Sequence, residues 1–273
     1  MILASSDIRR LGVDEAAAVL RFGEEPKAGA WRGRRLLWLN GKAAFELTFW
    51  CGTCPVMFQR LEGATGTLST AELDAKLRQG LSGIDSGVVA VFGGLLSVGA
   101  YMPMLLRVTP RLVTPVAEDD YFAHEQVATW GIDSFWGLPE NPRTPYYRTF
   151  ETPVTSSAHL YEFVVPMVPP TWNDRTRVRQ YAQALEGGSL PTAVAVSTLD
   201  ISQPAVAGDG SDYHEHWALS HFLLDGHHKL EAAAAARRPL QLLALVAVDA
   251  SLAREADIRR LTEIRAQAAR QRP

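Results

Sequence analysis

The residues best equipped for chemistry are Asp225-Gly226-His227-His228-Lys229. They follow the apolar run Leu219-Ser220-His221-Phe222-Leu223-Leu224 and lead straight into the alanine-rich Leu230 to Ala236. That pattern predicts a buried strand, a glycine turn and a helix start. The first turn of a helix leaves backbone N–H groups unpaired and carries a partial positive charge, so an anion fits there. Two imidazoles and an ammonium at the same turn make phosphate the natural guest. In this reading Gly226 lets the backbone approach a phosphate, and His228 and Lys229 neutralise its charge, with His227 part of the same turn. His228 and Asp225 are the candidate catalytic groups. Asp225 repels a bare phosphate, and so either holds Mg²⁺, acts as a base on a hydroxyl, or only fixes an imidazole tautomer.

Other reactive side chains cluster less tightly. His214, Glu215, His216 and His221 make this stretch the richest in histidine; they are either loop residues in solvent or ligands that fold over a guest or a metal. The run Trp50-Cys51-Gly52-Thr53-Cys54-Pro55 has the spacing of a redox pair or half a zinc site. No second cysteine pair exists to complete such a zinc site, and two small buried residues at a hairpin end is the plain alternative. Arg143, Tyr146, Tyr147 and Arg148, in a proline-rich connector from Trp136 to Pro153, are candidates for a second substrate by position.

The elements that must position these groups divide at about Pro153. Residues 1–153 read as a β-rich α+β domain and residues 154–273 as a mixed-sheet α/β domain. In the first, Asp14 to Phe22 reads as a helix. Leu36 to Leu39 and Ala43 to Phe49 form a hairpin about Asn40-Gly41, with Leu36, Trp38, Ala43, Phe45, Leu47 and Phe49 on the core face. Ser69 and Glu72 form a capping box for a helix from Ala71 to about Leu81. Val88 to Phe92 and Tyr101 to Val108 read as strands; the uncharged stretch from Gly87 to Leu106 also meets the length of a membrane span, but its glycines and Pro103 favour buried strands. The acidic group Glu118, Asp119, Asp120, His124 and Glu125 reads as a solvated loop, and the nearby aromatics as glue between domains.

In the second domain the expected order is a strand from His159 to Val165, a helix from Asp174 to Leu185 capped by Asn173, and a strand from Thr192 to Leu199. The strand Ala218 to Leu224, the helix to Arg237, a strand from Gln241 to Val248 and a final helix capped by Ser251 complete it. This order, with Gly187-Gly188-Ser189-Leu190-Pro191-Thr192 and the Asp225-Gly226-His227-His228-Lys229 motif, resembles the ParB/sulfiredoxin superfamily over Tyr161 to Asp249. The resemblance implies a nucleotide-binding domain, with Gly226, His227, His228 and Lys229 as the phosphate turn and ATP, ADP or CTP as ligand; whether Mg²⁺ accompanies the nucleotide stays open. It implies a phosphotransferase or nucleotide hydrolase acting on a small molecule; a regulatory or scaffold protein that binds the nucleotide without turnover is the alternative. Lys229 stands where the superfamily has arginine, His227 stands where sulfiredoxins have cysteine, and no helix-turn-helix follows.

Composition bounds these readings. The chain has 273 residues, 47% of them hydrophobic, and a formal charge of −3. That supports a sizeable core and offers no field for a nucleic-acid backbone, so nucleic acid is not an expected partner. The two cysteines and the charged N-terminal stretch fit a cytoplasmic protein with no membrane partner. A homo-oligomer stays open.

Overall fold

The computed structural model describes residues 1–25, 34–48, 57–130, 142, 144–202 and 215–271. Cys51, Cys54, Arg143 and His214 lie outside them, as do Phe135 and Trp136.

Strands β1 (Ile2–Ser5) and β2 (Arg9–Leu11) come first. Next are β3 (Leu20–Glu25), β4 (Arg34–Leu39), β5 (Lys42–Thr48) and β6 (Met57–Arg60), which form an antiparallel sheet in sequence order. Helices α1 (Ala71–Gln79) and α2 (Ser86–Gly93) lead to β7 (Gly99–Val108), β8 (Arg111–Val113), α3 (Glu125–Trp130), β9 (Tyr146–Pro153) and β10 (Ala158–Pro166). After a 3₁₀ turn at Pro170–Trp172 come α4 (Arg175–Glu186), β11 (Thr192–Ser202), β12 (Glu215–Asp225), α5 (His227–Ala236), β13 (Leu240–Ala247) and α6 (Glu255–Gln271).

The large sheet has nine strands in the order β1-β7-β13-β11-β12-β10-β9-β8, with β2 also on β7. It is mixed: β10 with β12 and β11 with β13 run parallel, and the other pairs antiparallel. Both faces are covered, so its central strands are apolar throughout rather than alternating. On β12, Ala218, Phe222 and Leu224 pack toward the four-stranded sheet, α1 and α2. Leu219 and Leu223 pack on the other side toward α4, α5 and α6. Phe58 of β6 meets Phe122, Tyr146 and Phe222 at centroid distances of 5.3, 5.6 and 6.4 Å, so the aromatics join the two sheets.

The nine-stranded sheet runs across the expected division at Pro153. That residue ends β9, which is hydrogen-bonded to β10, and strands from both sides of it share one sheet. Pro153 sits at a strand end, where its missing N–H is tolerated. The expected connector therefore supplies a strand over Tyr146–Pro153.

Other local expectations change for identifiable reasons. Val88 to Phe92 is helical, because Asp85 accepts from Val88 N–H at 2.9 Å and caps α2, and Val88, Val89 and Phe92 share a buried face. A short apolar run does not by itself distinguish strand from helix. Among the described residues no helix is long and apolar enough to cross a membrane. The expected helix at Asp14 is one turn followed by β3, held where Leu20 N–H reaches Leu95 C=O at 2.9 Å. The Asn40-Gly41 turn forms with both φ angles positive, at 50° and 74°. A bulge then places Leu37 opposite Phe45, so Leu37 and Leu39 join Phe45 and Leu47 in one core cluster; Leu36 is also fully buried, as expected, whereas Trp38 is only half-buried. Asp174, not Asn173, caps α4 by accepting from Thr176 N–H at 2.7 Å. Ser251 bonds Leu199 N–H and Ala247 C=O instead of capping the last helix.

Candidate functional site: the start of helix α5

The strand, glycine turn and helix form where the residue pattern places them. Gly226 has φ +102°, a left-handed conformation that side chains resist, and a Cβ there would lie 2.7 Å from that of Ala193. Its lack of a side chain thus lets β12 turn against β11.

Each motif side chain is engaged within the protein. The Lys229 ammonium is 2% exposed and donates to Asp225 Oδ2 at 2.7 Å and Thr192 C=O at 2.9 Å. The other Asp225 oxygen accepts from the Ser69 hydroxyl at 2.6 Å, so the expected capping box of α1 is not made. Burial works to raise the Asp225 carboxyl, but the charge and hydrogen bond of Lys229, with Ser69, hold it below the usual carboxylate range. Asp225 is consequently an ion-pair partner, without a free oxygen for Mg²⁺ or a substrate proton.

His227 is buried, and its Nε2 accepts from Met167 N–H at 3.1 Å. Its proton therefore sits on Nδ1, which is buried without a partner. Burial pushes its pKa down to about 4, despite the nearby Asp225, and the ring is neutral near pH 7. His228 Nε2 accepts from Asp174 N–H at 3.0 Å, and its pKa is lowered by burial and by Arg177. The histidines strap the segment Met167 to Asp174 onto α5, and Asn173 adds a bond to Glu231 at 2.8 Å. The expectation that His228 and Lys229 neutralise the charge of a phosphate is corrected: the rings of His227 and His228 are neutral near pH 7 and the Lys229 ammonium is paired.

Backbone donors remain. Gly226 offers no side-chain cap, and the first backbone bond into the helix runs from Leu230 N–H to Gly226 C=O at 2.8 Å. By helix geometry the N–H groups of His227, His228 and Lys229 have no partner within the helix. The signal for this part of the site was legible; the partners Met167, Thr192 and Asn173, all distant in sequence, were not.

The other expected site residues do not join this turn. Tyr146 and Tyr147 are buried, and burial raises both phenols. Arg148 pairs with Glu125 and Glu151, and so is not open to a second substrate. Asp120 is buried rather than solvated, accepting from Val116 N–H at 2.7 Å, Phe122 N–H at 3.1 Å and the Tyr146 hydroxyl at 2.7 Å. His216 contacts the Tyr121 hydroxyl at 2.6 Å and Thr129 at 3.0 Å, and no metal-binding group occurs among the described residues.

Ser197, His221 and Glu162 meet on three adjacent strands in a network the sequence did not announce. Ser197 Oγ is 2.6 Å from His221 Nδ1, and His221 Nε2 is 3.8 Å from Glu162, which Thr149 and Arg265 also contact. Despite the serine–histidine–carboxylate order, all three are fully buried beneath Arg265 of α6, which makes the array structural. Comparison with protein-family models, curated protein sequences and solved structures finds no match for this chain.

Proposed function

We propose that this protein binds a phosphate-bearing small molecule, a nucleotide such as ATP, ADP or CTP, at the first turn of α5, through backbone N–H groups rather than basic side chains. The observation that carries this reading is the uncapped helix start after Gly226. Arg177, exposed on α4 and near enough to lower the His228 pKa, adds positive charge beside it. The resemblance to the ParB/sulfiredoxin superfamily over Tyr161 to Asp249 supports the same turn and the same ligand class. Binding without turnover is favoured over phosphotransfer, because both Asp225 oxygens and the His228 acceptor nitrogen are occupied within the fold.

The test is calorimetric titration with ATP, ADP, CTP, GTP and pyrophosphate, with and without Mg²⁺, on wild type, His228→Ala and His228→Glu. A carboxylate in the first turn suits the helix but competes with an anion for its N–H groups. The alanine variant is expected to keep its affinity and the glutamate variant to lose at least about tenfold, equivalent to about 1.4 kcal/mol. Failure of every phosphate compound to bind wild type, or equal affinity in all three proteins, overturns the site. Conversion of bound nucleotide over hours overturns the non-catalytic reading alone.

A further inference from the structure

At the opposite end of β11 from the α5 turn, a cavity of about 240 Å³ opens between the two sheets, and we infer that it is a binding site for a small organic amine. It is lined by β3 and β4 of the small sheet, the approach to β7, and the residues that follow β13. It thus lies beyond the C-terminal ends of the parallel neighbours β11 and β13, where crevices of α/β sheets take ligands. Its volume is below the roughly 300–1,000 Å³ of sites for drug-sized molecules, so the guest is small.

The charges decide its sign. Arg35, the cation among the described residues of the wall, is already committed: its guanidinium contacts both Asp200 oxygens at 3.0 and 2.9 Å and also donates to Ala250 C=O. Asp200 in turn accepts from Leu252 N–H at 3.0 Å, which locks the pair into the frame. Tyr101 donates its hydroxyl to Ser97 C=O at 2.9 Å and stays neutral. Among the described residues of the wall two acids are left over. Asp249 spends one oxygen on Ala100 N–H at 2.8 Å and has the other open. Glu24 stands opposite Arg35 in the β3–β4 register but does not capture its guanidinium, which is turned to Asp200.

The remaining wall is apolar. Val98 and Leu252 are 43% and 39% exposed, and both line this cavity with Phe22 and Ala247. An ammonium facing Asp249 and Glu24, on a short hydrocarbon body that covers Val98 and Leu252, matches both halves of the lining.

The test uses three probes of equal length, pentylamine, pentanol and pentanoate, titrated into the intact protein and followed by amide chemical shifts. Saturable shifts around Ala100 and Asp249 with the amine alone are expected. Asp249→Asn keeps an acceptor for Ala100 N–H but removes the charge, and is expected to weaken the amine at least about tenfold. Glu24→Gln, at an exposed position that leaves the fold intact, is expected to weaken it less. Equal binding of amine and alcohol, preference for the carboxylate, no saturation at millimolar concentration, or indifference to both substitutions overturns the assignment. Nucleotide binding at α5 does not enter these outcomes.

Discussion

The ammonium of Lys229 lies 2.7 Å from Asp225 Oδ2, one helical turn across Gly226 and out of contact with solvent. A basic residue that reads as a phosphate ligand is thereby a structural cation. Removing one partner of a buried pair leaves the other charge uncompensated, which typically costs about 3–5 kcal/mol. Lys229→Ala is expected to lower stability by that order in urea denaturation, whereas Lys229→Met with Asp225→Asn recovers most of the loss. Equal destabilisation by the single and double substitutions would contradict the pairing.

Gly226→Ala is expected to destabilise by at least about 2 kcal/mol, because the left-handed backbone and the contact with Ala193 act together. Ala193→Gly in the same chain removes the Cβ at 2.7 Å but leaves the Ala193 Cα at 2.9 Å and the backbone strain. The double variant should therefore melt between wild type and the single variant.

Acid sensitivity follows from groups with depressed pKa values, His227 and Glu162 the most deeply buried of them. His227 binds its proton near pH 4 in the folded protein but near pH 6.5 when unfolded, so the unfolded state holds more protons between these values. Its contribution is fully present above pH 6.5 and is lost as pH falls toward 4, with a total of about 3 kcal/mol. Burial acts to raise Glu162, but Arg265, His221 and Thr149 hold it at about 2. Its contribution is present above the ordinary carboxylate pKa and is lost as pH falls through 2. Urea midpoints measured from pH 8 to 3 should fall first in the histidine window. His227→Gln, which retains an acceptor for Met167 N–H, should remove most of the loss in that window, leaving the smaller part that His228 contributes.

Val116 is β-branched, 69% exposed and held at φ +71°. Such a residue in the left-handed region is strained by about 1–3 kcal/mol. Val116→Gly keeps the N–H bond to Asp120 and should raise stability by about 1 kcal/mol, offset in part by the greater entropy of the unfolded chain. A lower melting temperature would show that the side chain contributes packing that outweighs the strain.

Local patterns determined much of this protein. Asn40-Gly41 encodes its turn because few residue pairs adopt two positive φ angles, and Gly187-Gly188 ends α4 for a related reason. The apolar runs at His159 to Val165, Thr192 to Leu199 and Ala218 to Leu224 become central strands because only a covered sheet can bury both of their faces. The helix start after Gly226, and with it the candidate anion site, was equally readable. Tertiary structure alone decided which strands share a sheet, and so joined β7 and β9 to strands that follow Pro153. It also decided the availability of each charge. Ser69, Thr192 and Met167 are 156, 37 and 60 residues from the motif groups they contact. The sequence specifies that His227, His228 and Lys229 are basic residue types. Burial and these distant partners determine that the rings are neutral and the ammonium is paired, because both depend on the solvent and charges around a group once the chain has closed on itself.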